Sequence, residues 1–360
     1  MLVDKFFENT FDLEKEKQKV MDFIQMKKNQ NSAEAVFYDK YYEIQDCIGE
    51  QFKIANLKSK LWNGTDISKI TPRALHVKTK EQLDDWRYLI RFTSSFKNVS
   101  NPGRNMKFLV TDGSDKYLGA LTVTSDFGDL GARDKYIGWT RDDRYKNKRL
   151  NNVACGQAII PMQPLGHNFL GGKLMALLIT SDVIRNAWED KYGDILVGMT
   201  TTSLYGTHSQ YNSMPTFKKR GKTTGKMPIK LPKDMVKVWE GYFGEKRKLR
   251  SNLDTKIYRE CGMKPVDYVS GIQRGIYFCP FYENTNEFLR GEIEKKALKI
   301  RQSFVSYNNY ISEWWKPKAE KRFNKLKSDN KLISELHFWD KLFGLTYEEA
   351  KLKYLKEVGR

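Results

Sequence analysis

The sequence predicts a mixed α/β core between two helical extensions, and three observations carry that expectation. Phe108-Leu-Val and the run Tyr117 to Thr124 are strand-like and flank Asp112-Gly113-Ser114-Asp115, whose Asp-Gly step suits a hairpin turn. An apolar strand at Val153 to Ile160 leads through a glycine-bearing loop into an amphipathic helix expected over Asn168 to Tyr192. Gly193 stops that helix and a strand at Ile195 to Thr201 follows. After Tyr282 the strand signals cease, and the Lys/Glu-rich remainder to Arg360 has helical patterning. Antiparallel strands followed by strand, loop, helix and strand define an α/β chain of the α+β kind, with a largely antiparallel mixed sheet and flanking helices.

From the N-terminus, residues 1–104 are expected to be mainly helical. Phe11, Leu13, Val20, Met21, Phe23 and Ile24 recur near helical spacing among Lys and Glu, and Asp12 is placed to cap. Residues 105–285 form the core, with further strands expected at Tyr136 to Trp139 and Gly275 to Tyr282. A helical tail, 286–360, opens on an Asn284 or Thr285 cap and breaks at Pro317.

Composition narrows the function. The chain has 360 residues, 63 Lys and Arg against 44 Asp and Glu, and a net charge of +19, which favours a polyanionic partner through counterion release. With 40% hydrophobic residues it can bury a sizeable core. No stretch approaches the roughly 18 consecutive apolar residues of a membrane helix. The first residues are acidic where a signal peptide would be basic, so a cytoplasmic location is expected. Cys47, Cys155, Cys261 and Cys279 are far apart, and His76, His167, His208 and His337 share no helical turn, so reduced thiols are expected and no metal site is assigned.

Three segments carry candidate chemistry. In the first, Val153 to Lys173, a strand enters a helix through Gln163-x-x-Gly166-His167-Asn168 and Gly171-Gly172. Backbone N–H groups at a helix start suit an anion, although a tight turn before an ordinary core helix, with glycines serving helix packing, accounts for the same residues. In the second, Leu204-Tyr-Gly-Thr-His-Ser-Gln-Tyr211 follows a strand ending in Thr200, Thr201, Thr202 and Ser203. There Tyr205, His208 and Tyr211 offer a proton donor, a base or a stacking surface, and the alternative is a solvated loop. In the third, residues 216–250 hold twelve Lys and Arg against three acids. Lys218, Lys219, Arg220, Lys222 and Lys226 lie in its Gly- and Pro-containing first half, which reads as a loop-like arm tracking a nucleic-acid backbone; a solvated charge run is the alternative.

The first loop resembles the Gln/Arg-x-x-Gly-x-Gly/Ala loop with which GCN5-related N-acyltransferases hold the pyrophosphate of an acyl-coenzyme A, with Asn168 in place of the small residue. That likeness implies donor-binding roles for Gln163, Gly166, His167, Asn168, Gly171 and Gly172, with acyl-coenzyme A or a related acyl donor as cofactor. A wider constellation resembles the DruA family of Druantia anti-phage systems. It comprises Leu130-Gly-Ala-Arg-Asp-Lys-Tyr-Ile-Gly-Trp139, Arg149-Leu-Asn-Asn152, Ile160-Pro161, the Leu204 to Tyr211 segment and Gly221-Lys-Thr-Thr-Gly225, over about 120–280. That family is similar in turn to Mom-like DNA-modifying acyltransferases. The resemblance implies a GCN5-related fold, DNA and other phage or defence proteins as partners, and acyl-type transfer to a nucleobase amine. It also gives Asp134 a reading as general base or orienter, with Arg133 binding phosphate or keeping Asp134 ionised, against a structural ion pair. The competing expectation is a DNA-binding component without turnover, consistent with Asn168 and with few obvious catalytic residues.

Overall fold

The computed structural model describes residues 11–63, 66–97, 103–162, 165–204, 209–244, 250–301, 310–333 and 339–357. The N-terminal region forms α1 (Leu13–Asn29), α2 (Ser32–Gln45) and α3 (Gln51–Ser59), then β1 (Arg73–His76) and α4 (Lys80–Thr93). The core follows as β2 (Asn105–Thr111), β3 (Tyr117–Ser125), α5 (Gly131–Ile137), α6 (Arg141–Tyr145), β4 (Val153–Pro161), α7 (Gly171–Leu178), α8 (Asp182–Tyr192), β5 (Gly198–Ser203) and β6 (Lys218–Lys222). Helices α9 (Lys233–Phe243) and α10 (Arg250–Glu260) precede β7 (Gly275–Pro280). Helices α11 (Thr285–Leu289), α12 (Lys316–Ser328) and α13 (Tyr347–Glu357) complete the order.

The chain divides into two compact units, Met1–Ala35 with Thr224–Gln273, and Val36–Thr223 with Arg274–Arg360. In the first, the Asp12 carboxylate accepts the Lys15 amide and starts α1, whose Val20 and Ile24 lie one turn apart on a buried face. They join Trp239, Leu253, Ile257 and Tyr258 in a core, and the Phe11 ring stacks on Tyr242 at 4.5 Å.

The second unit holds a seven-stranded sheet in the order β1-β2-β3-β4-β5-β7-β6. Every neighbouring pair is antiparallel except β4 and β5, whose parallel pairing covers only Val153 to Cys155 against Gly198 to Thr200. The sheet is therefore mixed and mostly antiparallel, as expected. Between β3 and β4 the register steps from Thr122 opposite Ala158 to Val123 opposite Gly156, so Gln157 is the extra residue of a bulge. Beyond it β4 stays with β3 while β5 stays with β7, and the two parallel strands part. Along β7, Tyr277 and Cys279 enter the larger hydrophobic cluster and Phe278 the smaller, as alternation across a sheet requires. Both faces are thus covered, one mainly by α4, α7 and α8 and the other by Ile137, Trp139, Phe288 and Leu289.

Several sequence expectations are corrected. Tyr136 to Trp139 is not a strand: Gly131–Ile137 is helical and ends at Gly138 in the left-handed region (φ 78°), because buried Arg133 and the Asp134 carboxylate tie down its first turn. The single helix expected over Asn168 to Tyr192 is two, since Ile179 to Ser181 breaks the run and α8 starts anew at Asp182; Gly193 stops it as expected (φ 74°). Arg73–His76 and Lys218–Lys222 are strands that the polar sequence hid. The first half of residues 216–250, expected to be loop-like, opens on the edge strand β6. Pro317 does not end the helical segment but stands in the first turn of α12, where a π-helical turn over Tyr310–Trp315 passes into α-helix. Among the described residues, no helix is long and apolar enough to cross a membrane.

Candidate functional site

Where β4 and β5 part, the second unit encloses a cavity of about 530 Å³. Its walls come from Thr93 to Phe96 after α4, Gln157 and Ile159 to Pro161 of β4, the start of α7, the end of β5, Ser209 to Tyr211, Arg274 and Arg322. Among the described residues, three cations, Lys173, Arg274 and Arg322, line it, and no carboxylate does. The size falls within the roughly 300–1,000 Å³ typical of small-molecule sites.

The approach from β4 to α7 is shaped by close packing. A Cβ at Gly166 or Gly171 would meet the Pro161 Cβ at 2.9 Å, and one at Gly172 would meet Gln210 Oε1 at 2.5 Å. The glycines therefore serve packing of the turn on the strand end, the alternative open in the sequence. Leu170 precedes α7 with φ 54°, an uncommon left-handed conformation for a branched residue. Gln210 donates from Nε2 to the Ile159 carbonyl at 2.9 Å, and the Thr201 hydroxyl donates to the Gly156 carbonyl at 2.8 Å. These two side chains span the gap that the diverging strands leave.

Asn168 neither caps α7 nor lies open to a ligand. Its amide donates to the Ile333 carbonyl at 2.8 Å and its oxygen accepts the Ile333 N–H at 3.1 Å, pinning the C-terminal segment beside the turn. Arg322 of α12 donates from Nε to the His167 carbonyl at 2.6 Å, and its Nη2 meets His167 Nε2. Trp315, fully buried just before α12, donates to the Phe169 carbonyl at 3.1 Å.

Burial lowers the Lys173 pKa, with a further contribution from Lys318, and burial lowers that of Arg274. Burial and then Arg322 hold the His167 imidazole below its ordinary value. Burial, which withdraws the cationic form from water, is the first cause of all three shifts. Lys173 Nζ is held by the Asn212 carbonyl at 2.7 Å, whereas the Arg274 guanidinium has no carboxylate partner among the described residues. Burial pushes the Tyr211 hydroxyl up to about 12, so it stays protonated.

Of the residues singled out in the sequence, Gly166, His167, Gly171, Gly172 and Tyr211 line this cavity, and Asn168 adjoins it. Gln163, Tyr205 and His208 lie outside the described residues. Arg133 and Asp134 do not line it. Arg133 is fully buried between Asp126 (Nη1 to Oδ2, 2.9 Å) and Asp134 (Nη2 to Oδ1, 2.7 Å), and it donates to the Phe127 carbonyl at 2.8 Å. The Asp134 carboxylate also accepts Trp139 Nε1 at 2.9 Å and the Leu130 amide at 2.8 Å. Asp126 further accepts the Thr200 hydroxyl at 2.5 Å, and burial pushes its carboxyl pKa up against the opposing pull of Arg133. Cys155 beside it is a buried free thiol whose pKa burial raises well above the ordinary value, so it is not a ready nucleophile.

Lys218, Lys219 and Lys222 are exposed on edge strand β6, while Arg220 lies 3.5 Å from the Tyr136 ring centroid. Lys226 belongs to the helical unit. Sequence reading missed Arg274 and Arg322 as site residues. Arg274 looked like the entry to a core strand, and Arg322 sits in a Lys-rich helix with nothing local to set it apart from a solvated face. Lys173, adjoining Gly171-Gly172, closed the first candidate segment without being assigned a role in it. Among the described residues, no group of three His, Cys, Asp or Glu is placed to hold a metal.

The family model of the Druantia protein DruA matches residues 14–291. No curated protein and no solved structure matches the chain.

Proposed function

Because the chain belongs to the DruA family and thereby to Druantia anti-phage defence, we propose that it serves that defence by modifying DNA, transferring an acyl-type group to a nucleobase amine at the cavity between β4 and β5. The observation that carries this reading is the cavity itself: among the described residues, three cations line it without a carboxylate, at the place where two parallel strands separate. The GCN5-related likeness is supported by the mixed sheet with one parallel pair that parts after the Gln157 bulge.

In this reading, Lys173, Arg274 and Arg322 neutralise the donor's anionic end, which fits the cation set. An acyl thioester supplies the electrophilic carbonyl when bound. The Ile159 carbonyl faces the gap toward Gln210, and in an extended strand the N–H of the same residue points to the same side. That N–H is suited to polarise the acyl oxygen. Held beside the amine, the donor gains mainly from proximity, and His208 and Tyr205 are the proposed proton acceptor and donor. Lys218, Lys219 and Lys222 serve as phosphate contacts for DNA, and a duplex base reaches the cavity only when flipped out or single-stranded. Asp134 and Arg133 are reassigned from catalysis to holding α5.

The second reading, a DNA-binding component without turnover, is favoured by one observation: Asp126 and Asp134 are spent in the Arg133 network, and among the described residues no carboxylate lines the cavity. Nucleoside mass spectrometry of DNA from cells expressing the chain separates the two. A new adduct absent from the Arg274→Gln variant is the expected result, and salt-sensitive DNA binding with no adduct leaves only the binding role.

A further inference from the structure

We infer that Arg274, Arg322 and Lys173 together form a subsite for the diphosphate of a small molecule, and that the C-terminal segment beyond the family match completes it. The inference deepens the proposed function and rests on its reading of the cavity as a ligand site. Its first ground is charge: the three cations come from β7's approach, α12 and α7, and among the described residues the cavity walls offer no carboxylate to balance them. A single carboxylate would neutralise one of the three, whereas a diphosphate brings several oxygens that match the planar forks of two arginines.

The second ground is how Arg322 is held. Its contacts with His167 use Nε and Nη2, which fixes the guanidinium plane and leaves Nη1 outside them. The segment carrying it is anchored on both sides, by Trp315 on the Phe169 carbonyl and by Ile333 on the Asn168 amide. The family match ends at residue 291, so Arg322, Trp315 and Ile333 are contributed by sequence beyond it. The third ground is the turn. The Gly166 and Asn168 amides are spent on the Met162 and Leu165 carbonyls and the Asn168 side chain on Ile333, so the three cationic side chains supply the charge for the anion. Asn168 at a position that the resembling loop gives to a small residue thus acquires a role, docking the tail.

Isothermal titration calorimetry of the full chain with inorganic pyrophosphate, and separately with coenzyme A, tests this. Arg274→Gln and Arg322→Gln are each expected to weaken pyrophosphate binding at least tenfold. Lys296→Gln, at an exposed lysine that lines no part of the cavity, should leave it unchanged, with unaltered circular dichroism melts certifying each fold. Asn168→Ala, which frees the tail without touching a cation, is expected to weaken it as well. Pyrophosphate that fails to bind wild-type protein, or binds both arginine variants as it binds wild type, overturns the inference. So does a 5′-phosphorylated oligonucleotide that competes for the site while coenzyme A does not, because the ligand is then a nucleic-acid end. Pyrophosphate binding lost in both arginine variants, in a protein that leaves no nucleoside adduct, upholds the subsite and removes the transfer reaction. An adduct formed without any pyrophosphate binding does the reverse.

Discussion

At Asp134 both carboxylate oxygens already accept hydrogen bonds, from Arg133 and Trp139 on one and from the Leu130 amide on the other. Replacing it by Ala leaves the fully buried Arg133 with one partner fewer and frees the start of α5. The Asp134→Ala variant should therefore lose roughly 3 kcal/mol or more of stability, read as a lowered urea midpoint with an unchanged slope. His167 gives a titration with a defined sign. Its folded pKa lies below the ordinary 6.5, through burial and then Arg322. Between the folded and unfolded values the unfolded chain binds more protons, so this group's contribution to stability is lost as pH falls from about 6.5 through the folded value. In Arg322→Gln the second cause is gone, and the imidazole pKa followed by NMR should move up toward 6.5 without reaching it. An unmoved value would mean that Arg322 does not sit on the ring in solution.

Element by element, the site depends on where pairing stops. The Gln157 bulge changes the β3–β4 register, β4 and β5 share only three residue pairs, and the opening that results is spanned by Gln210 and Thr201. Edge strand β6 shows a different economy. Its exposed lysines discourage pairing with another sheet, which suffices as a reason for their presence. The proposed nucleic-acid role asks more of them, and salt distinguishes the two. Three phosphate contacts on single-stranded DNA correspond to a log–log slope of about −2, or roughly a 20-fold loss of affinity between 50 and 200 mM salt. Replacing Lys218, Lys219 and Lys222 together by Gln should flatten the slope by about that much in fluorescence anisotropy. A slope that does not change assigns β6 to edge protection alone.

Across the whole molecule, the tail is part of the second unit's core rather than an appendage. Trp315 is fully buried, and Ile311, Ala319 and Phe323 join it in the larger cluster. Trp315→Ala should cost about 3–5 kcal/mol in urea unfolding monitored by far-UV circular dichroism, as for other buried aromatic truncations, whereas a detachable tail would show almost no change. The sequence by itself determined what depends on near neighbours along the chain. Period-2 and period-3.6 patterning marked β2, β3, β4, β7 and α1, while Asp12 and Gly193 marked helix ends. The charge excess and the DruA-like motifs were equally legible. Only the tertiary structure decided the rest. Asp134 and Arg133 carry the chemistry of a catalytic pair, and what makes them structural is Asp126, Trp139 and the burial around them. Lys218–Lys222 has no apolar alternation and is a strand because β7 offers it backbone partners. Arg274 and Arg322, 48 positions apart, face one cavity because the sheet and the tail helix bring them there. Local periodicity and capping act over a few residues, but the cost of burying a charge depends on everything around it in space, which sequence spacing does not encode.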